Sequence, residues 1–265
     1  MGNKTKQNRK KEREFWDKDS KRRVGWVLKT SKEEIIKNIL SREHWWETLI
    51  GKVKGKKILD IGCGNTYFSA YWQLTGNESY GSDFSPETVR INSLLHKKLG
   101  LKRNFYIASS EKIKTGDNFF DVVHMRWVIH HIPAELQDNS IQEIKRVLKN
   151  NGKLIIFETN YSYPFRWIVQ TPILRKFNLL RKYAVKKGWL DAEEKALTNK
   201  GYLDLIERNG FKIEKTKYDF TFFEYPVNLL IKNKIVRNIA RSFDAFLKKV
   251  IPNKFSKDIM IIAKK

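Results

Sequence analysis

Cysteine is almost missing from these 265 residues: Cys63 stands alone. A single thiol excludes an intramolecular disulfide framework and a cysteine-based zinc site, and no metal is expected. Also missing is any run of about eighteen apolar residues, so no membrane-spanning helix is predicted. The opening stretch MGNKTKQNRKKEREFW is too polar for a secretory leader, and Lys6 stands where a myristoylation pattern wants Ser or Thr. The expected location is therefore cytoplasmic. Acidic residues are the remaining shortage. Asp and Glu number 29 against 53 Lys and Arg, a formal net charge of +24. A lysine-coated surface would account for that, and so would attraction to a polyanion or an anionic membrane; where the charge lies decides between them.

What is present fits one α/β domain with insertions, since the chain is short for two full domains. Residues 1–23 hold ten Lys or Arg against four acids, with Phe15 and Trp16 as the only large apolar residues. They read as a solvated basic arm, with a first helix starting near Glu12. Residues 31–50 read as an amphipathic helix, capped by Ser31 with Glu34 three residues on. Residues 1–50 are thus set apart from a domain over 51–265.

From residue 57, apolar strands alternate with helices. Strands are predicted at 57–61, 79–83, 103–107, 120–125 and 152–158. Ser85-Pro86-Glu87 is a helix start with Pro at the first helical position, and Leu136, Ile141, Ile144 and Val147 keep helical spacing. Such alternation argues for a parallel, doubly wound sheet. Residues 211–223 and KDIMIIAKK at 257–265 are expected to pair at its edge, on either side of a helical segment at 226–251. The expected architecture is a Rossmann-like, seven-stranded, mostly parallel sheet with an antiparallel edge strand. Helices cover both faces, with helical insertions at 161–197 and 226–251.

Asp60-Ile61-Gly62-Cys63-Gly64 ends the first strand and opens a helix. Glycine is needed where backbone turns sharply against a ligand. A dinucleotide fingerprint would require glycine at 67, where Tyr67 stands, so a pyrophosphate site is disfavoured. Asp60 would repel a pyrophosphate but can meet a cationic amino group. Asp83, ending the second strand, can accept hydrogen bonds from ribose hydroxyls. Acid-flanked glycines favour a ligand cationic at this end, and S-adenosylmethionine is one. Cys63 reads as a small residue in a tight turn rather than a nucleophile.

LDIGCGN, YGSDFSPETV, ASSEKI with FFDVVHMRWVIHHIP, and LKNNGKLIIFETN, in that order over about residues 55–160, resemble the successive motifs of class I S-adenosylmethionine-dependent methyltransferases. The likeness is to the small-molecule group around the ubiquinone and menaquinone methyltransferases. The resemblance implies that Asp60, Gly62 and Gly64 hold the amino-acid end of the cofactor. It places Asp83 on the ribose, Phe84 on the adenine face, and Ser109, Ser110 and Glu111 at the adenine edge. Met125 would lie beside the methionine moiety. Two positions depart from the family pattern: Thr66 stands at its third loop glycine, and Ser109 where an acid often binds the adenine amino group.

Methyl transfer from a sulfonium is an in-line displacement, so alignment dominates; a hydroxyl or carbon-acid acceptor also needs a base. His124, His130 and His131 cluster after the fourth strand, with His131 and His130 the leading candidates. Glu158 and Tyr161, at the end of the fifth, are rival site-lining residues. His-Met-Arg-Trp at 124–127 replaces the Asn/Asp-Pro-Pro-aromatic motif of adenine and cytosine N-methyltransferases, and Cys63 is misplaced for pyrimidine C5 chemistry.

Residues 161–190 carry seven Lys or Arg and no acid among large apolar residues, and 226–251 carry only Asp244 as an acid. Three readings stay open: lysine-rich helices packed on the domain, a surface lying peripherally on anionic lipid at the inner membrane face, or a phosphate-binding stripe for nucleic acid. The leading function is methyl transfer to a small-molecule or lipid-like acceptor. Its alternatives are an RNA methyltransferase and a non-catalytic cofactor-binding scaffold. Nothing in the sequence fixes the oligomeric state.

Overall fold

The computed structural model describes residues 3–43, 47, 50–64, 67–163, 196–219 and 233–265. Thr66, most of the insertion at 161–197 and the start of the segment at 226–251 lie outside them.

Seven strands form one sheet: β1 (Lys57–Ile61), β2 (Glu78–Asp83), β3 (Phe105–Ile107), β4 (Phe120–Arg126), β5 (Leu148–Thr159), β6 (Lys212–Asp219) and β7 (Asp258–Lys264). Their order is β3-β2-β1-β4-β5-β7-β6. The first five run parallel to one another, while β7 runs antiparallel between β5 and β6. The expected Rossmann-like architecture is therefore the observed one.

The strands bury both faces because successive residues are apolar. Leu59, Val123, Leu154 and Ile156 join one core cluster, and Ile58, Val122 and Ile155 join the other. On the first face lie α5 (Ala134–Val147) and α6 (Asn199–Arg208), contributing Ile141, Ile144, Tyr202, Leu205 and Ile206. On the second lie α1 (Asn3–Lys29), α2 (Lys32–Glu43), α3 (Phe68–Leu74) and α4 (Pro86–Leu99), contributing Val27, Ile35, Ile39, Phe68, Trp72, Ile91 and Leu95. A last helix, α7 (Lys234–Val250), precedes β7. Among the described residues, no helix is long and apolar enough to cross a membrane.

Helix termini follow the local signals. The Ser31 hydroxyl accepts from the Glu34 amide at 3.2 Å. Ser85 Oγ accepts from the Thr88 amide at 3.0 Å, and Gly100 closes α4 in the left-handed region.

The amino-terminal segment corrects the sequence reading. It is not a solvated arm with a helix from Glu12, but one helix from Asn3 to Lys29, docked along α4. The hydroxyls of Ser20 and Thr88 meet at 2.8 Å in a buried contact. Lys98 Nζ donates to the carbonyls of Val27 and Leu28 at the helix end, and Ser85 Oγ donates to Asp17 Oδ1 at 2.5 Å. Hydrophobic patterning misses this docking because the inward face is largely polar.

Candidate active site

The cleft sits where β1, β2 and β4 end. After β1 the chain turns through Gly62 and Gly64, both with positive φ. A Cβ on Gly62 would fall 2.6 Å from Val128 Cγ2, so the loop can pass the turn after β4 only without a side chain. A Cβ on Gly64 would meet nothing closer than Gly62 O at 3.6 Å; this residue answers to its backbone angle. Asn92 Nδ2 donates to Gly64 O at 2.8 Å and anchors the loop to α4.

Asp83 ends β2 beside this loop. Its Oδ2 accepts the Gly64 amide and its Oδ1 the Ser85 amide, each at 2.9 Å. Burial pushes its carboxyl up to about 6, while those two amide bonds favour the anion and the nearby Asp60 and Asp17 disfavour it. Each oxygen keeps a further lone pair.

One wall of the cleft is Gly62, Asp83 and Phe84, joined by Ser109 and Ser110 from the segment after β3. Ser110 Oγ also meets Ser140 Oγ at 2.9 Å. Glu12, Trp16 and Arg23 of α1, with Arg126, Trp127 and His131, also line the cleft beside Gly62, Gly64, Asp83 and Phe84. Glu12 Oε1 lies 2.9 Å from His131 Nδ1, and the Trp16 ring meets the His131 ring edge-on at 5.7 Å. Arg9 Nη2 pairs with Glu111 Oε1 at 2.6 Å.

The turn bearing His131 is held from below by Glu158. Its Oε1 accepts the amides of Val128 and Ile129 at 2.7 and 2.6 Å, and its Oε2 lies 2.6 Å from His130 Nδ1. Trp127, at φ 56°, occupies the left-handed region uncommon for a large side chain. Its amide donates to Phe157 O at 2.8 Å, and the Arg126 guanidinium lies 5.3 Å from its ring centroid.

Of the expected site residues, Gly62, Gly64, Asp83, Phe84, Ser109, Ser110 and His131 come together at the cleft, with Glu111 held at its edge through Arg9. Several others lie elsewhere. Asp60 is buried beneath the loop with its Oδ1 3.1 Å from His124 Nδ1, and Phe68 stacks on the histidine ring at 3.8 Å. Met125 is fully buried in the core; its strand neighbours are Ile61 and Ile156. His130 and Glu158 face each other in the interior and brace the turn rather than line the cavity. Tyr161 is exposed, its amide bonded to Leu197 O. Cys63 is buried, and burial followed by the charges of Asp83 and Asp60 drives its thiol well up, which opposes thiolate formation. No cluster of three metal-ligating side chains occurs among the described residues.

Sequence reasoning missed the α1 contribution. Arg9, Glu12, Trp16, Ser20, Arg23 and Val27 recur at helical spacing, and only Trp16 and Val27 among them are apolar. The usable clue was Phe15-Trp16, an aromatic pair inside a charged run. Arg126 and Trp127 also line the cleft, and no signal in the sequence sets them apart within their strand-end motif.

Residues 59–156 match the family described as "Methyltransferase domain". An uncharacterized protein of Methanocaldococcus jannaschii is 29% identical over 158 residues, 58% of this chain and 63% of that protein. A ubiquinone biosynthesis O-methyltransferase of Pelagibacter ubique is 26% identical over 147 residues, 56% of this chain and 60% of that one. The chain thus spans about three-fifths of the length of these curated relatives. Among solved structures, a SAM-dependent methyltransferase from Archaeoglobus fulgidus superposes with a TM-score of 0.55 at 20% identity, covering 89% of this chain and 95% of that one; this likeness speaks for the fold.

Proposed function

We propose that the chain, whose residues 59–156 match the family described as "Methyltransferase domain", carries a methyl group from S-adenosylmethionine to a small-molecule or lipid-like acceptor. The observation that carries the reading is one cleft lined by two chemically different sets of residues. Asp83 keeps a lone pair on each carboxylate oxygen, which suits the two vicinal hydroxyls of a ribose. Phe84 offers an apolar face for a purine, and Ser109 and Ser110 offer hydroxyls to its edge. Gly64 leaves room for close approach at the amino-acid end. These residues fit the cofactor, which when bound supplies an electrophilic methyl group on a sulfonium.

The second set does the acceptor's share. His131 can take a proton from an acceptor hydroxyl, with Glu12 beside its Nδ1 to hold the ring. Trp16 and Trp127 exclude water from an apolar acceptor body. Arg23 and Arg126 supply positive charge for a carboxylate or similar group in the same chamber. Glu158 acts indirectly, by fixing the turn that carries His131.

Titration calorimetry with S-adenosylmethionine and with S-adenosylhomocysteine tests the reading, with Asp83→Ala as the comparison. Binding by the native protein and a large loss in the variant are expected. No heat from the native protein with either compound would reject it.

A further inference from the structure

Helix α7 does not use its apolar residues the way α5 or α6 does. Ile235, Ile239, Phe243, Phe246 and Val250 are 70%, 64%, 47%, 56% and 59% exposed. Their spacing of four, four, three and four residues puts them on one face through the length of the helix. The side turned to the protein is carried instead by Ala240 and Asp244, both buried. A shallow hollow runs along the outer face between Ile235, Ile239, Phe243 and Phe246, and the rings of the two phenylalanines lie 6.3 Å apart, nearly parallel. So long an apolar stripe facing water calls for an occupant.

The charge around it selects that occupant. Lys234, Arg237, Arg241, Lys248 and Lys249 accompany the stripe, and Asp244, the helix's only acid, is turned inward. A second copy of this chain would bring the same helix cations against these, on a protein of net charge +24, and the two surfaces would repel. Nucleic acid would engage the cations, but a row of isoleucine and valine offers a phosphate backbone no hydrogen bonds. A bilayer with anionic headgroups satisfies both halves: aliphatic and aromatic side chains enter the acyl boundary while the cations stay at the level of the lipid phosphates.

Position makes the contact useful. Asp219 ends β6 and Asp258 begins β7, and the two are register partners of each other, with Thr159 at the carboxyl end of β5 alongside. The chain bearing α7 therefore leaves and rejoins the sheet at the end where the glycine loop opens. We propose that α7 lies on an anionic lipid surface with its Ile235–Val250 face inserted, holding the cleft end of the sheet toward the membrane. The docking stands on the helix alone and does not require the methyl-transfer reading.

Vesicle flotation of the full chain tests it, using phosphatidylcholine vesicles with and without phosphatidylglycerol, and the doubly substituted Phe243→Ser, Phe246→Ser protein beside the native one. The native protein should float with the anionic vesicles, less so as salt rises, and the variant should partition about tenfold more weakly. The substituted side chains are exposed, so the thermal unfolding midpoint should be unchanged and calorimetric cofactor binding retained. Equal flotation of both proteins, or none with anionic vesicles, would overturn the proposal. So would a native dimer in sedimentation, or an RNA gel shift, that the substitutions abolish, since the face would then belong to a second copy or to nucleic acid.

Discussion

Gly64 and Asp83 are joined across the mouth of the sheet: the Gly64 amide donates to Asp83 Oδ2 at 2.9 Å. The acid expected to hold a ribose is thus also the group that ties the glycine loop to the end of β2. Loop shape and ligand capacity depend on the same carboxylate, and substitutions there should be read for both.

The pH dependence follows from burial. Asp83 is raised from an ordinary 3.8 to about 6. A carboxyl raised on folding makes stability fall as pH climbs from the unfolded value through the folded one, by roughly 3 kcal/mol for such a shift. Asp258 is buried and raised to about 6 as well, so the native profile contains both groups. Urea unfolding of native and Asp83→Asn proteins between about pH 4 and 7 should show a shallower decline in the variant. Cofactor affinity should change the opposite way, weakening as pH drops through about 6 and the carboxylate loses its negative charge; identical stability profiles would contradict the assignment.

Gly62 faces Val128 too closely to accept a side chain, and its φ is +61°. Gly62→Ala should lower stability by about 2–3 kcal/mol, combining overpacking with a left-handed backbone penalty. Adding Val128→Ala should restore the steric part and leave about 1 kcal/mol. A double-mutant cycle in urea that shows simple additivity would mean that the two do not touch.

Glu158 is fully buried and takes two amides and the His130 ring. Glu158→Ala should cost about 3–5 kcal/mol, because buried donors lose their acceptor. Glu158→Gln keeps one acceptor oxygen and should cost about half as much. Hydrogen exchange at the Val128 and Ile129 amides is the direct reading, and protection unchanged in both variants would remove Glu158 from this role.

Trp16 reaches the cleft from the far end of the sequence and packs on His131. Trp16→Ala should weaken cofactor or acceptor binding by about tenfold through lost aromatic contact. The unfolding midpoint should fall little, since α1 is held mainly through Ser20, Val27 and the Asp17–Ser85 contact. Calorimetry and thermal melts separate the two effects. A variant that melts early but binds normally would make Trp16 a packing residue only.

The sequence by itself determined the alternation of strands and helices, the cap at Ser85, the turn through Gly62 and Gly64, and the presence of acids at both strand ends. These are local matters: side-chain periodicity, backbone angles and a hydroxyl three residues from an amide act over a few residues and leave their mark in residue order. Only the tertiary structure decided that Asp60 faces His124, that Met125 points into the core between β1 and β5, that His130 and Glu158 brace a turn, and that a polar helix from residue 3 closes over the cleft. Those outcomes turn on which residue of a strand pair faces inward and on which polar groups find partners many residues away. Hydrophobic pattern is blind to such pairing, because a buried polar face stabilised by hydrogen bonds looks in sequence like one exposed to water.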